Sequence, residues 1–490
     1  MSSISRRHFL EDSLLAAAAA AAATVVGGTP LAAKEANASS SPNEKLRGVV
    51  IGCNGRGNTH IEELIHRKNV ELAFICDVDT KVGNRRCEEI AKALHGHKPK
   101  FAQDLRNVLD DKSVDFVTIA TPNHWHSLAA IWAMQAGKDV YVEKPVSHNL
   151  SEGRRDVQAA ERHKRICQAG MQSRSSPGLH EAVAYLRAGK LGEVKLARGL
   201  CYKSRGSIGP RGNYQPPKEV DYSLWSGPAQ LLPVTRPHFH YDWHWQWPYG
   251  NGDIGNQGVH QMDIARWGLG IDTLANSVLS YGGRFGYQDA GDTPNTEVSI
   301  LEFGPEKTLV FEVRGLKTDE LLGAKVGVIF YGSEGYMVVP DYFSATVFDP
   351  QGKVVKTFKK GGDHFGNFLA AVGSRKPQDL NAPILDGHLS AALCHLGNTS
   401  YRLGSPHTEG EALEKLKSFK TNEHSKETLE RVVSHLTANG VRLEGKTEFH
   451  LGPQLQFDPT TETFINNPEA DTLLTRDYRA PFVVPTAANV

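Results

Sequence analysis

Net charge is the first thing this sequence lacks. Lys plus Arg and Asp plus Glu both number 55, so the formal charge is zero. A balanced surface carries no electrostatic footprint for nucleic acid or an anionic membrane. Cysteine is scarce as well: there are six, with no CxxC pair and no zinc-like spacing. Cys53, Cys76 and Cys167 lie in or beside short apolar runs, which points to buried free thiols rather than a disulfide framework. Beyond about residue 26 no stretch is long and apolar enough to cross a membrane, and no internal repeat is visible. What remains is an ordinary globular composition, 40% hydrophobic and 22% charged over 490 residues, enough for two domains with sizeable cores.

The first 38 residues read as an address. Ser5-Arg6-Arg7-His8-Phe9-Leu10 fits a twin-arginine pattern, and an alanine-rich apolar run follows. Ala36-Asn37-Ala38 supplies a small-x-small cleavage site, with Ala33 as an alternative end. Residues 39–45 read as a Ser-rich linker. The expectation is export to the periplasm through the twin-arginine machinery, which carries folded proteins, often with a cofactor inside.

The body opens with an apolar strand, Leu46–Ile51, then Gly52-Cys53-Asn54-Gly55-Arg56-Gly57, then a helical pattern from Thr59 to Arg67. Strand, glycine turn and helix are the setting of a dinucleotide phosphate loop: glycine lets backbone approach the pyrophosphate, and the helix N-terminus supplies free N–H donors. Asn54 stands where a middle glycine is usual, and asparagine tolerates left-handed backbone. About 20 residues on, Val70–Cys76 reads as a second strand ending at Asp77. A carboxylate there accepts from ribose hydroxyls and repels a 2′-phosphate, which favours NAD over NADP unless Lys81 or Arg85 holds a phosphate. Val114–Ala120 is a further buried strand, ending in Thr121-Pro122-Asn123-His124-Trp125-His126. Val140–Val142 is another, followed by Glu143-Lys144-Pro145. Strands alternating with helices predict an α/β fold with a doubly wound parallel sheet over 46–170. Ligands lie at the carboxyl ends of such strands, where Thr121, Pro122, Asn123, His126 and Lys144 fall.

The glycine turn, Thr121-Pro122-Asn123-x-x-His126 and Glu143-Lys144-Pro145, in this order, resemble the glucose-fructose oxidoreductase/inositol dehydrogenase/MocA (Gfo/Idh/MocA) family. The resemblance continues through Leu191-Gly192-Glu193-Val194, Trp225-Ser226-Gly227-Pro228-Ala229 and Gly252–Asp263, and covers roughly residues 46 to 400. It implies a second, α+β domain with a large, mainly antiparallel open sheet, here 171–415, an active site between the domains, and assembly as a homodimer or homotetramer. Val194–Tyr202, Ala275–Arg284, Thr296–Phe303, Thr308–Val313 and Val326–Tyr331 read as its strands, and His364–Val372 as a late helix. Residues 416–490 read as an extension that packs back on the body.

Oxidising a hydroxyl with a nicotinamide cofactor needs a proton acceptor and a group that stabilises the developing alkoxide. The ammonium of Lys144 can polarise the oxygen or relay its proton, and Pro145 restricts the backbone that carries it. The resemblance makes Lys144 catalytic and gives Glu143 a role in cofactor binding. His260 has an ordinary pKa near neutrality, which suits a general base, and the resemblance places the family's catalytic histidine there. The family's usual Asp one turn earlier is Asn256 here. An amide can orient the ring or hold a substrate hydroxyl, but it cannot stabilise an imidazolium as a carboxylate does. A less basic His260 is expected, or a mechanism that leans on Lys144; Asp263, one turn later, is a partial substitute.

The run His238–Tyr249 holds six aromatics in twelve residues. Tyr241 and Trp243 are expected to stack on sugar C–H faces. A metal site on His238, His240 and His244 lacks a clear fourth ligand, so none is expected. Gln172 and Arg174 are expected to line the cleft, with Arg174 suited to an acidic substrate group. The resulting expectation is an oxidoreductase that moves hydride between a tightly held NAD, or NADP, and a hydroxyl of a sugar, sugar derivative or polyol. Redox-neutral glycoside cleavage by transient oxidation and elimination is the alternative, and a non-catalytic sugar-binding protein is a third reading.

Overall fold

The computed structural model describes residues 45–419, 421–443 and 449–490. The expected signal segment and most of the linker lie outside these residues. Six short runs build the first sheet: β1 (Leu46–Ile51), β2 (Val70–Cys76), β3 (Lys100–Ala102), β4 (Phe116–Ile119), β5 (Asp139–Val142) and β6 (Cys167–Ala169). All pair in parallel, in the order β3-β2-β1-β4-β5-β6. The middle strands are apolar without alternation because helices cover both faces. The strand order reverses between β1 and β4, so the loops that follow them diverge and open a crevice at their carboxyl ends. The glycine turn follows β1, and Thr121-Pro122-Asn123 follows β4.

The second sheet has twelve strands among the described residues. Its centre is β7 (Val194–Cys201), β8 (Ser277–Gly283), β9 (Thr296–Phe303), β10 (Lys307–Arg314) and β11 (Val326–Gly332). β7 and β10 run parallel and the remaining pairs are antiparallel. β12 (Gly335–Val339), β13 (Ser344–Phe348) and β14 (Val354–Lys359) extend one edge. Side chains alternate between the faces, as the two-residue repeat requires. Ala197, Leu301, Leu309 and Phe311 enter the core shared with the helices Pro177–Arg187, Gly258–Leu269 and Ile384–Arg402. Leu196, Val298, Ile300 and Val310 face the other way, beneath the helices Glu409–Lys417 and Ser425–Ala438.

Two segments tie the halves together. The late helix, His364–Ser374, packs on the first sheet: the ring of Phe365 stacks on Tyr141 at 4.5 Å, and Phe368 meets Phe116. Near the C-terminus, Phe482 lies against Trp125 and Trp132 at 5.5 and 6.2 Å. The residues beyond 416 also give the large sheet three short strands, β16 (Phe449–Leu451) and β17 (Leu455–Asp458), both paired with β8, and β18 (Thr463–Phe464), paired with β17; β15 (Ser405–His407) precedes them. All six cysteines are buried free thiols. No helix among the described residues is long and apolar enough to cross a membrane.

Candidate active site

A cavity of about 440 Å³ lies between the carboxyl end of the first sheet and the second domain. On the first-domain side it is lined by Gly52, Asn54, Gly55, Arg56, Asp77, Thr121, Pro122, Asn123, His126, Glu143 and Lys144. The second domain contributes Gln172, Tyr241, Trp243, His244, Asn256, His260 and Tyr342.

The glycine turn is shaped by two left-handed residues, Gly52 at φ 78° and Gly55 at φ 25°. Asn54 is not one of them: its φ is −80°, so its tolerance of left-handed backbone goes unused. It caps the helix Gly55–Ile65 without a side-chain hydrogen bond, so its side chain satisfies none of the first amides. Gly57 does not line the cavity. A Cβ there would sit 1.8 Å from the carbonyl oxygen of Gly52, so this glycine serves close packing of helix on strand.

Asp77 ends β2 with its carboxylate oriented by the backbone: Cys53 N–H and Asp79 N–H donate to it, both at 2.9 Å. Neither Lys81 nor Arg85 reaches the cavity; Arg85 pairs with Glu89 at 3.7 Å. Glu143 accepts from Arg56 at 2.8 Å and lies 3.1 Å from His60. Burial alone would raise its carboxyl, but Arg56, His60 and Lys144 outweigh burial and hold it well below the usual carboxylate range. Gln172 donates to the Tyr141 hydroxyl at 2.9 Å and approaches Glu143. The ring of His126 lies between the carbonyls of Thr121 and Pro145, at 2.7 and 2.6 Å, and so braces the two strand ends. Asn123 donates to Asn251.

Lys144 and His260 line the same cavity. The Lys144 ammonium donates to the backbone carbonyl of Asn256, and burial lowers its pKa. It is thus the carbonyl of Asn256, not its amide, that touches Lys144; the amide leans towards Asp253 at 3.4 Å. Burial, then the Lys144 charge, pushes the His260 imidazole down to about 3. Its Nδ1 is buried without a partner, and its ring packs against Tyr342 at 4.7 Å. His260 is thus weakly basic, and the cause is burial and the Lys144 charge rather than the amide at 256.

Besides Gly57, two expected substrate-binding residues are not brought to the cavity. Arg174 binds Asp263 through two hydrogen bonds of 2.8 and 2.7 Å, both residues buried, with Asp386 and Arg266 completing the cluster. A guanidinium so engaged has no free fork for a substrate carboxylate. Asp263, held by Arg174 and Ser390, raises the His260 imidazole only slightly, and burial and the Lys144 charge outweigh it. His238, His240 and His244 have separate partners: His238 approaches Asp242, His240 approaches Asp79, and His244 bonds the carbonyl of Tyr241. Sequence reasoning missed Tyr342, which reaches the cavity from the turn between β12 and β13. It also missed His244 as a cavity residue; its place within the aromatic run was the available signal.

A glycine turn, a strand-end carboxylate, a lysine and an imidazole around one interdomain cavity are the arrangement of a two-domain dinucleotide-binding protein. The description "Oxidoreductase family, NAD-binding Rossmann fold" matches residues 46–171, and "Oxidoreductase family, C-terminal alpha/beta domain" matches residues 210–432. The chain belongs to the Gfo/Idh/MocA oxidoreductase family. It is similar to an alpha-N-acetylgalactosaminidase of Shewanella oneidensis, 32% identical over 218 residues, which is 40% of this chain and 45% of that protein. A glycosyl hydrolase family 109 protein of Shewanella sp. strain W3-18-1 is 30% identical over 208 residues, again 40% and 45%. The chain thus spans about half the length of the curated relatives it matches. In fold it resembles the WlbA dehydrogenase of Bordetella pertussis, solved with NADH and UDP-GlcNAcA, with a TM-score of 0.53, 19% identity, and 72% of this chain and 96% of that chain covered. It also resembles GenD2 from gentamicin A biosynthesis, solved with NAD, with a TM-score of 0.51, 20% identity, and 76% and 96% covered.

Proposed function

We propose that this protein oxidises a hydroxyl-bearing carbon of a sugar, sugar derivative or polyol, using a retained nicotinamide cofactor. One observation carries the reading: Lys144 and His260 line the same cavity as the glycine turn and Asp77. The residues fit a dinucleotide. A helix N-terminus without a side-chain cap opens beside Gly55, where an added Cβ would meet nothing within 4 Å. The Asp77 carboxylate, oriented by two backbone amides, is suited to ribose hydroxyls and to NAD rather than NADP. When bound, the nicotinamide supplies the hydride acceptor. Lys144, anchored on the Asn256 carbonyl, holds a cation where the substrate oxygen gains charge. Glu143 fixes Arg56 and His60 beside it.

A second reading, redox-neutral glycoside cleavage, is supported by the names of the Shewanella relatives. Transient oxidation acidifies the neighbouring C–H and permits elimination without the usual carboxylate pair. The twin-arginine pattern at Ser5–Leu10 supports export to the periplasm with the cofactor inside. An assembly of two or four chains would use sheet surface near β11–β14, because the protein's own helices cover β8–β10.

The test is mass spectrometry of protein taken from its native compartment, intact and then heat-released, followed by 340 nm absorbance with added NAD and free sugars. A co-purifying dinucleotide, and its reduction by a free sugar in a single turnover, are expected. Aglycone release without net reduction would favour the second reading. A protein that neither carries nor binds a dinucleotide would overturn both.

A further inference from the structure

We propose that His244 is a specificity-determining residue of the substrate site, whose Nε2 accepts a hydrogen bond from a free hydroxyl of the bound saccharide. This rests on the sugar reading above.

The observations are geometric. His244 lines the same cavity as Lys144 and His260 and is 9% exposed. Its Nδ1 lies within hydrogen-bonding distance of the Tyr241 carbonyl oxygen. A carbonyl can only accept, so Nδ1 carries the proton, and in the neutral ring Nε2 is left as a lone pair. No hydrogen bond from a described residue reaches Nε2, nor is that atom among the fully buried, unpartnered ones, so it opens to the cavity. His260 has no such bond fixing its tautomer: its Nδ1 is buried with no partner.

The local backbone is arranged to make this contact. Tyr241 has φ 69° and ψ −48°, and Asp242 N–H donates to the His240 carbonyl at 2.9 Å, which closes a γ-turn of the rare, strained hand. A non-glycine residue in this region is strained and persists where its surroundings over-determine it. Here the turn aims the Tyr241 carbonyl at the imidazole. The ring stacks on Trp243 at 3.6 Å and 21°, which fixes its plane. Gly250 closes the back: a Cβ there would come within 2.4 Å of the His244 backbone oxygen. Burial, together with the charges of Lys144 and Arg205 and the nearby His126, pushes the ring down to about 3, so it is neutral at pH 7. A rigid, neutral acceptor against an indole face suits a sugar edge that presents O–H.

The test uses the dinucleotide-loaded protein labelled with 15N-histidine, and H244F and H244Q. Phe keeps the ring that stacks on Trp243 but removes the lone pair; Gln carries an acceptor near the position of Nε2. At pH 7 the His244 resonances, assigned by their loss in H244F, should have a pyrrole-type Nδ1 and a pyridine-type Nε2; the opposite tautomer overturns the proposal. A panel of hexoses and methyl hexopyranosides is then titrated by calorimetry. The best ligand should shift Nε2 in the wild type, bind about ten- to a hundredfold more weakly to H244F, and recover in part with H244Q. Binding to H244F within twofold of wild type overturns the proposal. A loaded protein that binds no saccharide but reduces its cofactor with another alcohol overturns it and leaves hydride transfer standing. Sugar binding through His244 with no cofactor reduction does the reverse.

Discussion

Replacing Asp263 by Asn should destabilise the protein rather than alter its substrate preference. The carboxylate is 1% exposed and accepts from Arg174 Nε and Nη2 at 2.8 and 2.7 Å and from Ser390 at 2.8 Å. Burial alone would raise its pKa, but the Arg174 charge and hydrogen bonds, with help from Arg266 and Ser390, outweigh burial and hold it below the ordinary value. Removing one partner of a buried pair costs about 3–5 kcal/mol, because the other charge stays buried. Asp386, 3.2 Å from Arg174 but partly exposed, can take over some of the interaction, so the expected loss is near the lower end, about 3 kcal/mol. The sign with pH follows from the depressed pKa. The contribution is present above the unfolded carboxylate pKa of about 3.9 and is lost as pH falls through the lower folded value, so wild type and Asp263→Asn should converge in acid. Urea unfolding followed by tryptophan fluorescence at pH 7 and at about pH 2, well below the unfolded carboxylate value, measures both effects. Arg174→Met should cost a similar amount, and the double variant R174M/D263L should cost less than the sum, since neither charge is then stranded. If each single variant lost under about 1 kcal/mol, and Arg174→Met instead raised KM selectively for uronates, the internal-pair assignment would be refuted.

Lys144→Ala should retain dinucleotide but slow cofactor reduction by about a hundredfold or more, read at 340 nm in a single turnover. Asp77→Ala should weaken NAD binding about ten- to a hundredfold while affecting NADP less, as measured by calorimetry. Phe482→Ala removes a ring packed between Trp125 and Trp132 and should cost about 3–5 kcal/mol in urea unfolding, with little change in the cavity chemistry.

The residue pattern by itself located β1, β2, β4 and β5 of the first sheet, with the glycine turn, Asp77 and Lys144 at their carboxyl ends, but not the short edge strand β3. Each is a local signal: a short apolar run, then turn residues at fixed spacing, at the end of a strand whose direction is set by alternation with helices. The core strands of the second sheet were legible for the same reason. The missing carboxylate at Asn256 was visible too, but the low basicity of His260 comes from burial and the Lys144 charge, which the sequence does not show. What spatial neighbours decide was not legible. Arg174 and Asp263 each looked like cleft residues, since a charge in a sequence does not name its partner; the fold sets them against each other, 89 residues apart. Tyr342 meets His260 only because the β12–β13 turn folds over the cavity. The orientation of His244 depends on a strained turn at Tyr241 that no propensity favours and that only surrounding packing can hold. Local chemistry is written in the order of residues, whereas the choice of partner for a charge or a ring belongs to the three-dimensional chain, where contacts between distant segments outweigh local preference.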